Sequence, residues 1–265
     1  MSDAPPLLER DGVRLTLDAA GTVARVALCN PAKRNAQSPA LWRALAEAGR
    51  LLPGTVRVVV LTGEGVSFSA GLDRQAFTPD GFDGEPSFLD LARGPRPELD
   101  RTIAGYQEAF TWWRRTDLVT VAAVQGHAIG AGFQLALACD LRVCADDAQF
   151  AMRETSLGLV PDLTGTKPLT ELVGYGRALE ICVTGRFVHA EEAVRIGLAN
   201  LVVPAAELAA AVDDLVAALL APPRSAVNET KALLRSALVH DEPAQYAAER
   251  AAQGRRLQDL AGLGE

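Results

Sequence analysis

Residues Gly126 to Asp140 read GHAIGAGFQLALACD, and this stretch decides the fold class. Just before it lies Val119–Val124 (VTVAAV), an apolar β-branched run of strand character. Three glycines follow, and then a helical run opens at Ala131 with Gln134 one turn in. The first four N–H groups of a helix have no internal partner, and the helix dipole adds a partial positive charge there. Glycine lets another group approach that backbone closely. A turn of this kind suits a developing oxyanion. Close strand–helix packing is the plainer alternative. Dinucleotide binding is excluded, because GxGxxG is not satisfied and no acid stands at the required distance after a second strand.

Outward from this stretch the pattern repeats. Val13–Leu17 and Val23–Leu28 alternate as a hairpin with a turn at Ala20-Gly21, and Ser38 can cap a helix over Pro39–Leu52. Val56–Thr62 is a near-continuous β-branched run, as expected of a strand covered on both faces. Leu141–Ala145 is a further strand, and helices are expected over residues 170–181 and 190–197. Strands alternating with short helices predict an α/β protein. Thr78–Pro97 holds four prolines and three glycines in 20 residues, which predicts a mobile surface insertion without long regular structure. From Pro204 onward the chain is Ala/Leu-rich and helical in period, a helical appendage interrupted at Pro222-Pro223. The organisation expected is a catalytic core over 1–203 and a C-terminal helical region over 204–265.

At 265 residues and 49% hydrophobic, the chain can bury a large single core. A formal net charge of −7 argues against nucleic acid or an anionic membrane as partner. The first 25 residues carry no apolar signal-peptide core, and no apolar run reaches the ~18 residues of a membrane span. Cys29, Cys139, Cys144 and Cys182 have no metal-ligand spacing and read as reduced thiols in apolar surroundings. A cytoplasmic protein of enzyme size, with no metal site, is expected.

A second turn, Phe68-Ser69-Ala70-Gly71-Leu72-Asp73, also follows a buried strand. Two convergent N–H donors from two such turns would complete an oxyanion hole. With this pair in view the chain resembles the crotonase (enoyl-CoA hydratase/isomerase) family over roughly residues 13–260. The segments that carry the resemblance are Asn30–Ala36 (NPAKRNA), VVVLTGEGVSFSAGLD, AAVQGHAIGAGFQLALACDLRVCADDAQF, ETSLGLVPD, Val183–Arg186 (VTGR), GLANLVVPAAEL and Glu229–Ala232 (ETKA), in family order. The resemblance implies a spiral of ββα units with a C-terminal helical region that mediates trimerisation, commonly as a dimer of trimers. It also implies a CoA thioester substrate, so that coenzyme A enters with the substrate and no separate cofactor is needed. Carried over by position, the oxyanion donors are the backbone N–H groups of Leu72 and Ala131, the latter where many relatives have glycine. Ala70 matches the position whose carbonyl contacts adenine. Lys33, Arg34, Arg74 and Lys231 are candidate phosphate contacts, with ordinary solvated charges as the alternative.

Hydratases of the family activate water between two glutamates. The first position falls on Gln134, and the second, 20 residues later (154 − 134), on Glu154. Glutamine can orient a water but cannot transfer a proton. One carboxylate beside an oxyanion hole suffices to move a double bond, and isomerases of the family resemble this arrangement. Asp162, eight residues on (162 − 154), stands where dienoyl-CoA and ring-type acyl-CoA isomerases have an aspartate. Competing roles are a helix cap for Asp162 and a surface ion pair for Glu154. His127 is expected to be structural. Phe110, Trp112 and Trp113 fall where the family places part of the acyl wall, with core packing as the alternative. Double-bond isomerisation of an enoyl-CoA is therefore favoured. Enoyl-CoA hydration in fatty-acid degradation, CoA-thioester hydrolysis, retro-Claisen cleavage and non-catalytic acyl-CoA binding are the alternatives.

Overall fold

The computed structural model describes residues 5–82 and 84–262. Residues 1–4 and 263–265, the outer ends of the two expected regions, and residue 83 within the 78–97 segment lie outside the described part. Strands are β1 (Leu8–Arg10), β2 (Val13–Leu17), β3 (Val23–Leu28), β4 (Val58–Gly63), β5 (Val119–Val124), β6 (His127–Ile129), β7 (Leu141–Ala145), β8 (Gln149–Ala151), β9 (Val188–His189) and β10 (Leu201–Val203). Helices are α1 (Pro39–Leu51), α2 (Phe88–Arg93), α3 (Arg96–Thr111), α4 (Ala131–Ala138), α5 (Thr166–Val173), α6 (Tyr175–Thr184), α7 (Ala190–Arg195), α8 (Leu208–Leu220), α9 (Arg224–Ser236) and α10 (Glu242–Leu260).

A seven-stranded sheet runs β1-β2-β3-β4-β5-β7-β10, antiparallel across the β1-β2-β3 meander and parallel from β3 onward. A small sheet, β6-β8-β9, stands beside it. β5, β6 and α4 follow one another as one ββα unit, and an isolated bridge between Ser69 and Ala128 gives the previous turn of the spiral its rung of the small sheet. This is the ββα spiral that the family resemblance implies.

The unbroken Val58–Leu61 run has a physical cause in two-sided burial. Val59 and Leu61 enter the main core with α1, α3 and α4, whereas Val58 and Val60 join Val121 and Val143 beneath Val212 and Val216 of α8. α8 therefore covers a sheet face. Ser38 caps α1 as expected, its hydroxyl accepting the Leu41 N–H at 3.2 Å.

One expectation differs, and two others gain detail. The helix expected over 170–181 is two helices, broken where Gly174 adopts φ +78°. The 78–97 segment holds no long regular element of its own among the described residues, as expected, but it does include the short α2 and the start of α3. Ser87 caps α2, and Phe88 packs 5.9 Å from Tyr106 and 6.5 Å from Trp42 between ring centroids, which fastens the segment to α1 and α3. Trp113 and Phe110 are buried in the core, and Trp112 stacks on Trp113 at 3.9 Å while donating to the Leu45 carbonyl. These residues pack α3 and the turn after it onto α1, which is the core-packing alternative. No helix among the described residues is long and apolar enough to cross a membrane.

Candidate active site

The two glycine turns meet. Ser69 donates its N–H to the His127 carbonyl (2.8 Å), and its own carbonyl accepts the Ile129 N–H (3.0 Å). Gly71 takes φ +85°, and a Cβ there would lie 2.4 Å from the Ile129 carbonyl oxygen and 3.5 Å from the Ala131 nitrogen. Only glycine allows this approach. Gly130, at φ +50° and ψ −116°, turns the chain from β6 into α4. Ala131 is the first residue of that helix, so its N–H has no intrahelical acceptor. The Leu72 N–H also has no acceptor among the described residues. The neighbouring bonds, Gln37 N–H to the Gly71 carbonyl and Asp73 N–H to the Gln37 carbonyl, turn it away from Gln37. Two N–H groups without acceptors among the described residues thus lie on adjoining turns at the positive end of α4.

The acid group lies against the same turn. A Cβ at Gly130 would stand 3.3 Å from Glu154 Oε1. Gln134, 1% exposed, donates its amide to that same Oε1 at 2.7 Å. Its carbonyl oxygen accepts the Leu163 and Gly165 N–H groups at 2.9 and 3.2 Å, which fixes the amide orientation. Thr164 between those donors is held at φ +69°, a left-handed conformation that a β-branched residue adopts only under constraint. Glu154 Oε2 is buried and has no hydrogen-bond partner among the described residues. Burial is the main reason that the Glu154 carboxyl is pushed above its ordinary range. The Asp162 charge adds to that, and the Gln134 bond opposes it. Asp162 stands at the open rim of this site, with burial raising its carboxyl as well.

The competing roles for these acids are not found. Gly165 precedes α5, and no side chain caps it, so Asp162 is not its cap. Arg153 donates to the Gly185 carbonyl, and no ion pair joins it to Glu154 among the described residues. His127 lies 3.3 Å from the Ser67 hydroxyl and meets Phe187 edge-on, a packed side chain at the edge of β6.

Around the Leu72 turn the structure gathers most of the candidate CoA contacts. Ala70 donates its N–H to the Arg34 carbonyl at 2.8 Å, and its own carbonyl accepts no bond among the described residues. Lys33 pairs with Asp73 at 2.9 Å, and the exposed Arg74 follows directly. Lys231 does not join them. It is 9% exposed, and its Nζ donates to Asp140 Oδ2 (2.6 Å) and the Leu118 carbonyl (2.8 Å). Leu118 precedes β5, so Lys231 is at the end of that strand opposite the glycine turns, where it ties α9 to the sheet. Isolated polar residues behind the site escaped the sequence reading. Gln37 and Gln107 lie outside every quoted motif, and Asn35 and Ser69 lie inside two of them without a role assigned, yet Gln37, Ser69 and Asn35 are fully buried and hydrogen-bonded, and Gln107 donates to the Asp162 carbonyl at 2.6 Å.

Comparison with known proteins places the chain in a family. The sequence model of the enoyl-CoA hydratase/isomerase family matches residues 18–260. The CoA complex of a presumptive enoyl-CoA hydratase from Thermobifida fusca YX superposes with a TM-score of 0.88 at 52% identity, covering 95% of each chain. Enoyl-CoA hydratase of Mycobacterium smegmatis gives 0.79 at 32% identity, covering 94% of this chain and 92% of that one. Carnitinyl-CoA dehydratase of Escherichia coli K12 is 42% identical over 154 residues, 58% of this chain and 53% of the relative. The chain thus spans about half the length of such curated relatives in the matched region. It belongs to the enoyl-CoA hydratase/isomerase family.

Proposed function

We propose, from membership of that family, that the protein binds an acyl-CoA thioester and moves its double bond between the 3- and 2-positions, with Glu154 carrying the proton. The observation that carries this reading is the fixed Gln134 amide. With its oxygen tied to two N–H groups and its nitrogen donating to Glu154, the group opposite the carboxylate has no proton to exchange.

In the proposed reaction Glu154 Oε2 takes a proton from C2 of a 3-enoyl thioester. The electron pair moves into the thioester carbonyl, whose oxygen becomes negative between the Leu72 and Ala131 N–H groups. The enolate collapses to a C2=C3 double bond as the same carboxylic acid returns its proton to C4. A raised carboxyl pKa suits a group that must both take and give a proton near neutrality. Ala70, Lys33, Arg34 and Arg74 form the rim proposed for the CoA adenine and phosphates.

A second reading, reversible hydration of an enoyl-CoA, is favoured by the names of the relatives and by Asp162, which offers another carboxyl beside Glu154. Product analysis separates the two. Wild type should convert a 3-enoyl-CoA to its 2-isomer faster than it hydrates a 2-enoyl-CoA. Gln134→Glu should raise hydration by about 100-fold, the usual worth of one general acid or base. A wild type that forms 3-hydroxyacyl-CoA faster than it isomerises would overturn the isomerase reading.

Trimer or hexamer formation is part of the proposal, supported by Leu157 (62% exposed), Val160 (70%), Tyr175 (72%) and Val183 (62%), large exposed apolar side chains on the stretch of chain between β8 and β9.

A further inference from the structure

We propose that Ser69 is a positioning residue for the oxyanion hole: it pins the Leu72 donor against the Ala131 donor, through a buried polar chain anchored at Trp42. This rests on the reading that those two N–H groups bind the thioester oxygen.

Ser69 is fully buried, and its hydroxyl is engaged in every direction open to it. It donates to the Asn35 carbonyl at 2.8 Å and accepts from Gln37 Nε2 at 3.1 Å and from the Gly71 N–H at 3.2 Å. Its main chain bonds to His127 and Ile129 on the other turn. The first turn of α4 also rides on it, since a Cβ at Gly132 would come 2.6 Å from the Ser69 carbonyl oxygen and 2.7 Å from its Cβ. One residue therefore holds, by its side chain, the glycine just before Leu72, and by its main chain, the strand that ends just before Ala131.

The chain continues outward. Gln37 Oε1 accepts the Trp42 indole N–H at 2.7 Å, which leaves Nε2 to face Ser69. The Gln37 main chain brackets Leu72, bonding to Gly71 at 2.7 Å and Asp73 at 2.8 Å. Trp42 sits 4.9 Å from the Tyr106 ring and 6.2 Å from Phe110, so the anchor is part of a packed aromatic cluster. A donor held from both sides is aimed before the charge develops, which is where such groups gain their effect.

The test compares binding of acetoacetyl-CoA, whose enolate carries a negative oxygen and absorbs in the near ultraviolet, with free CoA, which has no thioester carbonyl. Wild type should prefer acetoacetyl-CoA. Ser69→Ala should weaken it by about tenfold or more and reduce the enolate absorbance, with free CoA affinity held within about twofold, since a misaimed donor loses part of what a deleted one loses. Trp42→Phe, which keeps an aromatic ring and removes the indole N–H, should move both readouts the same way by a smaller factor. If Ser69→Ala does not fold, Gln37→Met removes the amide and supplies the same comparison. A folded variant with wild-type acetoacetyl-CoA preference, or equal losses for both ligands, would overturn the positioning role. A wild type without that preference would instead overturn the oxyanion-hole reading, and this role with it.

Discussion

Gln134 and Glu154 share one strong hydrogen bond, and the rest of the Gln134 amide is spoken for by the turn at 163–165. The presence of an amide at 134 and a carboxylate at 154 was legible in the sequence, and the family resemblance is what pairs the two positions. The direction of the amide was not, because it depends on two backbone N–H groups 29 and 31 residues further along the chain. Their convergence exists only once Thr164 takes its left-handed conformation. The pH dependence follows from Glu154. Its folded pKa is raised, chiefly by burial, so proton abstraction requires a pH above the ordinary carboxylate range. The acidic limb of kcat/KM should rise through that raised value. Asp162→Asn removes a charge that pushes the same way, so the limb should move to lower pH. A limb that stays in place in Asp162→Asn would show that the two carboxyls do not interact in the free enzyme.

Among the elements, the long apolar and well-capped ones could be read directly. β5 and β7 begin and end where the sequence pattern places them, α4 opens at the expected Ala131, and the α1 cap is the expected serine. The three-residue strands β6 and β8 could not, since each is defined by its partner and not by its own period. Lys231 shows the same limit. Its place in a motif is local information, whereas its attachment to Asp140 is a contact across 91 residues. The glycine turns make the sharpest element-level prediction. In Gly71→Ala the new Cβ would adopt φ +85° and press on the Ile129 carbonyl oxygen. Loss of stability on the order of 2 kcal/mol is expected, together with at least ~100-fold loss of turnover as the Leu72 donor is displaced. Thermal unfolding and steady-state kinetics check both. A stable, active variant would show that the turn has room the geometry denies it.

At the scale of the molecule, the sheet is a two-sided partition. One face packs on α1, α3 and α4, and the other on α8, while the C-terminal ends of β4 and β5 lead into the two glycine turns. The oligomer proposed from the exposed apolar side chains predicts a trimer or hexamer by sedimentation velocity, and a monomer at micromolar concentration would contradict it. The central claim concerns the whole arrangement: a hole of two N–H groups stabilises an enolate that Glu154 creates and quenches. The most direct measurement is NMR of a 3-enoyl-CoA incubated with the protein in D₂O, with Glu154→Ala alongside. The account predicts a 2-enoyl product carrying deuterium from the exchanged carboxyl, and a rate lower by about 10³-fold in the variant. Migration of the double bond at an undiminished rate in Glu154→Ala, or no migration in the wild type, would contradict it.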